Sequence, residues 1–584
     1  MRLPLSQSTQ SMPKLPMSRS GMRWRGSGPR RTRGAVVPAL FKSIAALTFV
    51  AILGTLSACG GGSGPSLKSL TVSPAQSTVT LGTTQQLTVT GLYTDGSSQN
   101  LTAKATFTSE TPAVATVSAT GLATGVAAGD AVIQAQVNNL TGNATVSVAV
   151  SAVSVIHASP DAPDVNVLVD GNAAVTGLAF GQGTAPVTLA TGTHTFAVQA
   201  QLPGGGVATV IPATGNSLSE TLAGGTQYII VAEGTVATIG AQIFARPLTP
   251  VASGQARVQV FHAAPAAPKV DVYVTAPGAG VASQTPVGSF AFQGSLGPVS
   301  VPAGSYEIYV TVAGTKTVVF DSGTVPLAAG ADLLITAEQN TGPGAAPITL
   351  AITDGLGKNS RLLDVSTPAS VRVIHASPDA PAVSVYANDS FAAALVPCLA
   401  FPGYAGAQAS SCPTFTPYVP VSPPGSVTSA QVTPYGNPGA VVINAPLKLS
   451  AGIQYSVYAV GNLASIAPLV LTDDTRRLAT AAKLRLIHAS PSAGAVDIYL
   501  TATASIAGAV PVLTNVAFKA DTGFLPVKAG TYYVTVTPAG TTTAAIGPLA
   551  IQLADQGIYT AVAVDHLGGG TPLGLITLDD FVGP

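Results

Sequence analysis

Val155-Ile156-His157-Ala158-Ser159-Pro160-Asp161-Ala162-Pro163 organises this 584-residue chain, because the stretch returns three times. It reappears as Val260-Phe261-His262-Ala263-Ala264-Pro265-Ala266-Ala267-Pro268 and as Val373-Ile374-His375-Ala376-Ser377-Pro378-Asp379-Ala380-Pro381. The last copy is Leu486-Ile487-His488-Ala489-Ser490-Pro491-Ser492-Ala493-Gly494. The histidines stand 105, 113 and 113 residues apart. That period exceeds the roughly 20–50 residues of solenoid repeats and matches whole small domains. Each copy reads as strand, tight turn, strand. Val153, Val155 and His157 alternate with polar Ser154 and share one face, as do Val258, Val260, His262 and their counterparts. After the turn, Val165-Asn166-Val167-Leu168, Val270-Asp271-Val272-Tyr273, Val383-Ser384-Val385-Tyr386 and Val496-Asp497-Ile498-Tyr499 alternate in the same way.

A second signal is a glycine followed by a tyrosine that opens a β-branched run. It occurs at Gly225-Thr226-Gln227-Tyr228, Gly304-Ser305-Tyr306, Gly452-Ile453-Gln454-Tyr455 and Gly530-Thr531-Tyr532. A glycine turn leading into a tyrosine strand predicts a corner in which the hydroxyl bonds nearby backbone, as in β-sandwiches. Charged residues make up 9% of the chain, far below the roughly 25% of ordinary globular proteins. Gly, Pro, Ser and Thr break every long uncharged stretch beyond the N-terminal segment, which argues for all-β modules and against a second membrane span.

The motif Val-x-Val-x-His-Ala-Ser-Pro-Asp-Ala-Pro resembles the hallmark of the bacterial domain-of-unknown-function family 4397. The resemblance covers about residues 151–584 and implies architecture, since that family carries no established activity. Copies two and four depart from it at the turn, with Ala266 and Ser492 in place of Asp. Upstream, Leu70-Thr71-Val72-Ser73-Pro74, Leu81-Gly82, Tyr93-Thr94-Asp95-Gly96, Val114-Ala115-Thr116-Val117 and Gly121-Leu122-Ala123-Thr124-Gly125 are short alternating strands between Gly and Asp-Gly turns. Residues 67–150 resemble a group 2 bacterial immunoglobulin-like domain, with Phe107 where that family often has Trp.

Before these modules come a basic segment, an apolar run from Ile44 to Leu56, and Leu56-Ser57-Ala58-Cys59. A basic n-region, a short apolar h-region and small residues at the end read as a secretory signal. The ending resembles a bacterial lipobox, which implies lipidation of Cys59 and anchoring to a membrane. Met12, Met17 and Met22 are alternative starts. Residues 1–58 hold nine basic residues and no acidic one, so removing them leaves 16 Lys and Arg against 25 Asp and Glu, a net −9. A phosphate backbone demands clustered basic surface, so nucleic acid is not an expected partner.

The repeat places Ser, His and Asp within five residues, yet copy two keeps only His262 and copy four lacks the acid. A nucleophilic triad would not survive that loss, so no catalytic residue is assigned. One histidine per module is no metal cluster either. The expectation is structural: His157, His262, His375 and His488 close the inward face of their strand and bond the turn backbone. Asp473-Asp474 and Asp579-Asp580 sit at module ends, where calcium between modules is one reading and solvated surface charge the other. From Ser390 to Leu447 no residue is charged and ten prolines interrupt the run, which reads as an insertion in module three. Cys398 and Cys412 lie within it and are expected to pair in an oxidising compartment. Tyr404, Phe415 and Tyr418 make it a candidate binding loop, with a merely tolerated insertion as the alternative.

These readings give a signal peptide at 1–58, a lipidated cysteine and tether at 59–66, and an immunoglobulin-like domain at 67–150. Four β-sandwich repeats follow at 151–250, 254–365, 366–478 and 479–584. The expected fold class is all-β, a tandem array of five sandwiches strung as a stalk. The expected function is non-enzymatic: a lipid-anchored cell-envelope protein, outer-membrane or surface-located, that adheres to or binds an extracellular polysaccharide or protein. A passive spacer is the alternative, and a hydrolase with a site around the insertion is third. No cofactor is expected beyond the calcium reading.

Overall fold

The computed structural model describes residues 64–212, 218–404 and 411–581. The signal segment and Cys59 lie outside the described residues. Among those residues the regular structure is β-strand with a few single-turn 3-10 segments, and no helix is long and apolar enough to cross a membrane.

Residues 67–149 form three small sheets around Leu87, Val89, Ile133 and Val146, all fully buried. Gln76–Thr80 runs parallel to Leu140–Ala149, which closes the module with its last strand. Phe107 is half-buried against this core, and its ring lies over Gly121. Gly121 has φ +80°, and a Cβ there would come within 2.7 Å of the Phe107 ring, so this turn requires glycine on both counts.

The four repeats share one topology. In each, a first sheet places an edge strand beside the histidine strand, then a parallel strand, then an antiparallel return, to which module 2 adds a fifth strand, Asn359–Leu362. In module 1 the order is Val187–Leu189, Ser151–His157, Thr226–Glu233, Gly240–Pro247. The histidine strands of modules 2, 3 and 4 are Gln255–His262, Ala369–Ala376 and Ala482–His488; their parallel partners are Asp332–Gln339, Gln454–Val460 and Ile558–Val564. The strand after the turn belongs to the second sheet, so the proline turn is a crossover between layers. Valines of both sheets meet in between: Val153 and Val155 face Val165, Val167 and Val198.

Three of the four histidine strands have no solvent face, and that of module 2 leaves Gln255, Arg257 and Val260 partly exposed. Every residue of Ser151–His157, Ala369–Ala376 and Ala482–His488 is buried. The alternate residues pack against the neighbouring module. Ile156 and Ala158 of module 1 join Phe261, Ala263 and Leu334 of module 2 in one cluster. Ile374, Ala376 and Tyr458 of module 3 join Ile487, Ala489, Val562 and Leu578 of module 4 in another. The repeats are therefore two face-to-face pairs, which corrects the expectation of modules strung end to end. The reason is visible in register: the residue before each histidine is Ile or Phe and the residue after it is Ala. Together they give each first sheet an outer face as apolar as its inner one.

Ions complete the seams. Arg372 of module 3 bonds Asp579 of module 4 at 2.6 Å, and Arg485 of module 4 bonds Asp473 of module 3 at 2.6 Å. Both arginines stand three residues before their histidine, so the two bridges cross the seam reciprocally. Ser456 and Thr560 hold the two aspartates from behind. The seam of modules 1 and 2 has one such bridge, Arg246 to Asp332 at 2.9 Å. It adds a two-way bond between Asn359 and the Gly183 backbone, at 2.8 Å each way.

Two expectations fall here. The first residue of each acidic pair is not solvated surface charge: Asp473 and Asp579 lie in the seam, whereas Asp474, 61% exposed, bonds Lys483 at 2.6 Å and Asp580, 32% exposed, bonds Arg477 at 2.6 Å. Their charge is met by the chain's own cations. The uncharged run from Ser390 to Leu447 is also no single insertion, because it holds Val396–Leu399, Val419–Val421, Ser429–Pro434 and Ile443–Pro446 of the sandwich itself. Only the stretch between Leu399 and Val419 is extra. Module 4 spans the same gap between Val516 and Leu525.

Candidate functional site

The repeated turn is built around the imidazole. His157 Nε2 donates to the Pro163 carbonyl at 2.9 Å, and its Nδ1 accepts the Ser159 N–H at 3.3 Å. His375 does the same with Pro381 at 3.0 Å and Ser377 at 3.4 Å. His488 reaches Gly494 at 2.7 Å and Ser490 at 3.3 Å; His262 reaches Pro268 at 3.5 Å and Ala264 at 3.3 Å. One neutral ring thus spans both ends of a six-residue crossover between sheets, donating at one nitrogen and accepting at the other. The rings are 0–3% exposed. Burial pushes His157 down to about 4, and lowers His262 and His375 in the same direction.

This occupancy leaves no base for a nucleophile. Ser377 Oγ donates to the Gly461 carbonyl at 2.6 Å, and Ser490 Oγ bonds the Asp565 carboxylate. Asp161 and Asp379 accept the N–H groups of Val236 and Leu463 at 2.8 and 2.7 Å, the first residues of 3-10 turns in modules 1 and 3. Modules 2 and 4 have no such turn at that place, which accounts for Ala266 and Ser492 where the acid stands in the other copies.

A second repeated element escaped the sequence reading: Ala179-Phe180, Ala291-Phe292, Ala400-Phe401 and Ala517-Phe518. Phe180, Phe401 and Phe518 stand edge-on to their histidines at 6.1–6.3 Å. The backbone beyond the phenylalanine pairs with the histidine's own, as in Gly181 N–H to His157 C=O at 2.8 Å. A small-residue–Phe pair in all four copies was the available signal.

The tyrosines that follow a glycine divide into two classes, which the sequence reading had taken together. Tyr228 and Tyr455 lie on the parallel strand, with Tyr559 as the module 4 member, and accept backbone N–H groups five residues upstream. Tyr306 and Tyr532 lie on the second sheet and donate to carbonyls four residues upstream. His194 of module 1 bonds the carbonyl four residues upstream in the same way, at 3.0 Å.

In the extra loop of module 3, Cys398 and Cys412 are joined by a disulfide with Cα atoms 5.3 Å apart, and Tyr404 packs on it. Phe415 packs into the seam with module 4, and Tyr418 donates to Asp473 at 2.5 Å with the Arg372 guanidinium 4.7 Å above its ring. Two of the three candidate binding aromatics are therefore spent on the seam rather than offered to a ligand.

The seam of modules 1 and 2 holds two buried carboxylates at equivalent positions, Glu233 and Glu338. Gln293 bonds Glu233 at 2.7 Å and Arg361 bonds Glu338 at 3.0 Å, while Glu233 Oε2 and Glu338 Oε1 find no partner among the described residues. Burial pushes Glu338 up to about 7 and raises Glu233. In modules 3 and 4 these positions are Val460 and Val564.

Two outcomes follow from this geometry. His375→Ala strands the Ser377 N–H and the Pro381 carbonyl and opens a small void, so it should destabilise modules 3 and 4 by about 2–4 kcal/mol. Unchanged thermal unfolding of residues 60–584 would remove the structural role. A carboxyl raised by folding stabilises while protonated, so the Glu338 contribution is complete below pH ~4.5 and is lost as pH rises through about 7. Glu338→Gln should narrow the calorimetric stability gap between pH 5 and pH 8 by up to about 3 kcal/mol. His157 acts oppositely, its contribution being complete above pH ~6.5 and fading toward pH 4.

Comparison with known proteins fits this architecture. Residues 66–150 match the family described as bacterial Ig-like domain (group 2), and residues 151–273 and 369–499 match the domain of unknown function DUF4397. Each DUF4397 match runs from the histidine strand of a pair's first module into the second strand of its second. Ice-binding protein 1 of Shewanella frigidimarina (strain NCIMB 400) is 46% identical over 56 residues, 10% of this chain and 6% of that protein. Domains 5–6 of the S-layer protein SbsC align at 17% identity over 45% of this chain and 97% of theirs, with a TM-score of 0.13. Domains 4–9 align at 12% identity over 80% of this chain and 96% of theirs, with a TM-score of 0.12. Scores that low carry no structural argument. The chain thus carries a match to the group 2 bacterial Ig-like domain at residues 66–150 and matches to DUF4397 at residues 151–273 and 369–499, the latter on sandwiches folded in two pairs.

Proposed function

We propose that this chain is a lipid-anchored protein of the bacterial cell envelope that works without catalysis, as a rigid scaffold that adheres to or binds an extracellular polymer or protein. The observation that carries the reading is the use of the repeated histidines. In all four modules both ring nitrogens are bonded to the turn's own backbone, so the residue the repeat retains most strictly is committed to holding two sheets together. Anchoring rests on the Leu56-Ser57-Ala58-Cys59 ending, and Gly60 after the cysteine favours outer-membrane placement.

A passive spacer is the second reading, and the commitment of Phe415 and Tyr418 to the module 3–4 seam favours it. The spacer is a stiff one. Besides the seams within pairs, Arg476 from the linker between modules 3 and 4 bonds the Ala162 carbonyl of module 1 at 2.6 Å, and Ala479 N–H bonds the Asp161 carbonyl at 2.8 Å.

Residues 60–584 should bind whole cells, cell-wall polysaccharide or matrix protein saturably, and the full chain should take up labelled palmitate in a way that Cys59→Ala abolishes. Labelling without any saturable binding, with or without calcium, would leave the spacer. Absence of labelling would overturn the anchor.

A further inference from the structure

Module 2 is hollow. Between its two sheets lies a cavity of about 340 Å³ whose lining includes ten valines, among them Val260, Val272 and Val310. Protein interiors rarely keep a void of that size, and drug-sized ligand sites begin near 300 Å³. Two features of the chain open it. The edge strand beside the histidine strand, Ser295–Pro302, is eight residues long, where modules 1, 3 and 4 have the three-residue strands Val187–Leu189, Val419–Val421 and Leu525–Val527. The added residues, Ser295 to Pro298, bring Leu296 into the lining, while Val299 and Val301 stand opposite Val258 and Ala256 as Val187 and Leu189 stand opposite Val153 and Ser151 in module 1. Module 2 also lacks the buried tyrosine of the parallel strand. Leu333 lies opposite Val258, where Tyr228, Tyr455 and Tyr559 lie opposite Val153, Val371 and Leu484.

The cavity reaches solvent where lining residues are exposed, at Val274, Val287 and Val299, which are 41%, 47% and 38% exposed. Its few polar atoms are already engaged. Tyr306 hydroxyl donates to the Pro302 carbonyl at 2.8 Å, and His262 Nδ1 accepts the Ala264 N–H. A polar or charged group taken inside would lose its water and find no partner.

We propose that the interior of module 2 binds a single aliphatic chain, entering past Val287 and Val299 with any polar head left at the rim. At about the 30 Å³ that a water molecule occupies, the volume takes roughly ten methylenes. The site is independent of the adhesive reading, because it uses the inside of one sandwich and none of the turns or seams.

The only tryptophan, Trp24, precedes residue 60, so Val287→Trp in residues 60–584 places a lone reporter at the mouth. The probe is decanol carrying a terminal bromine, with plain decanol as competitor. The expected result is saturable quenching that plain decanol reverses, and at least a tenfold weaker affinity when Val272→Phe fills the cavity without lowering the unfolding temperature. Should Val272→Phe unfold the module, the smaller Val272→Leu with Val310→Ile is expected to weaken binding at unchanged fold. Quenching that rises linearly without saturation, or that is equal in the filled variants, would overturn the proposal.

Discussion

A strand buried on both sides must satisfy two sets of neighbours, and the four histidine strands do so with alternate residues. Val153, Val155 and His157 meet their own sandwich, while Ile156 and Ala158 meet the next module. The histidine is the hinge of this arrangement. It ends the strand, faces inward, and ties the crossover to the second sheet with both nitrogens. A carboxamide could not easily span the same two groups with one flat ring, nor could a charged ring accept the second bond. Burial lowers the affinity of His157, His262 and His375 for protons, which keeps the accepting nitrogen free for the turn.

The outer face adds orientation to adhesion. Apolar patches alone would let two first sheets slide past one another by a residue pair. Arg372 with Asp579 and Arg485 with Asp473 admit one register, in which both arginines meet their carboxylates. Buried ion pairs contribute little net stability over apolar residues of the same shape, because desolvation offsets the attraction. What they add is a penalty on every wrong alignment, since a lone buried charge costs about 3–5 kcal/mol. The module 1–2 seam reaches the same end with Asn359 on Gly183 and a single bridge, and carries the pH-sensitive glutamates that its sister seam replaces with valine.

The repeat, the sandwich class and the Ig-like module were legible because they rest on short-range periodicity. Val-x-Val-x-His states its inward face plainly, and Gly121 and the Asp95-Gly96 turn mark loop positions. Pairing was not legible, since the polar Ser154, Gln259, Arg372 and Arg485 of the outer face carry no local mark of a protein partner. Nothing local distinguishes a polar residue that meets water from one that meets a carboxylate 207 residues away, as Arg372 does. The same blindness made Asp473 and Asp579 look like surface or calcium ligands. The uncharged run in module 3 misled for a related reason: its strands are three to six residues long and proline-bounded, too short to show a period. The cavity in module 2 was invisible, because a valine-rich lining and a valine-rich core have the same sequence.

Reciprocal coupling across the module 3–4 seam is the central claim, and a double-mutant cycle on Arg372→Met and Asp579→Leu tests it most directly. Hydrogen exchange would be read at Ala369–Ala376 and Ala482–His488 in residues 60–584. Each single substitution should raise exchange in both strands, and the double should restore protection beyond what additive effects allow, by at least about 0.5–3 kcal/mol of coupling. Additive effects, or changes confined to the substituted module, would contradict the paired architecture.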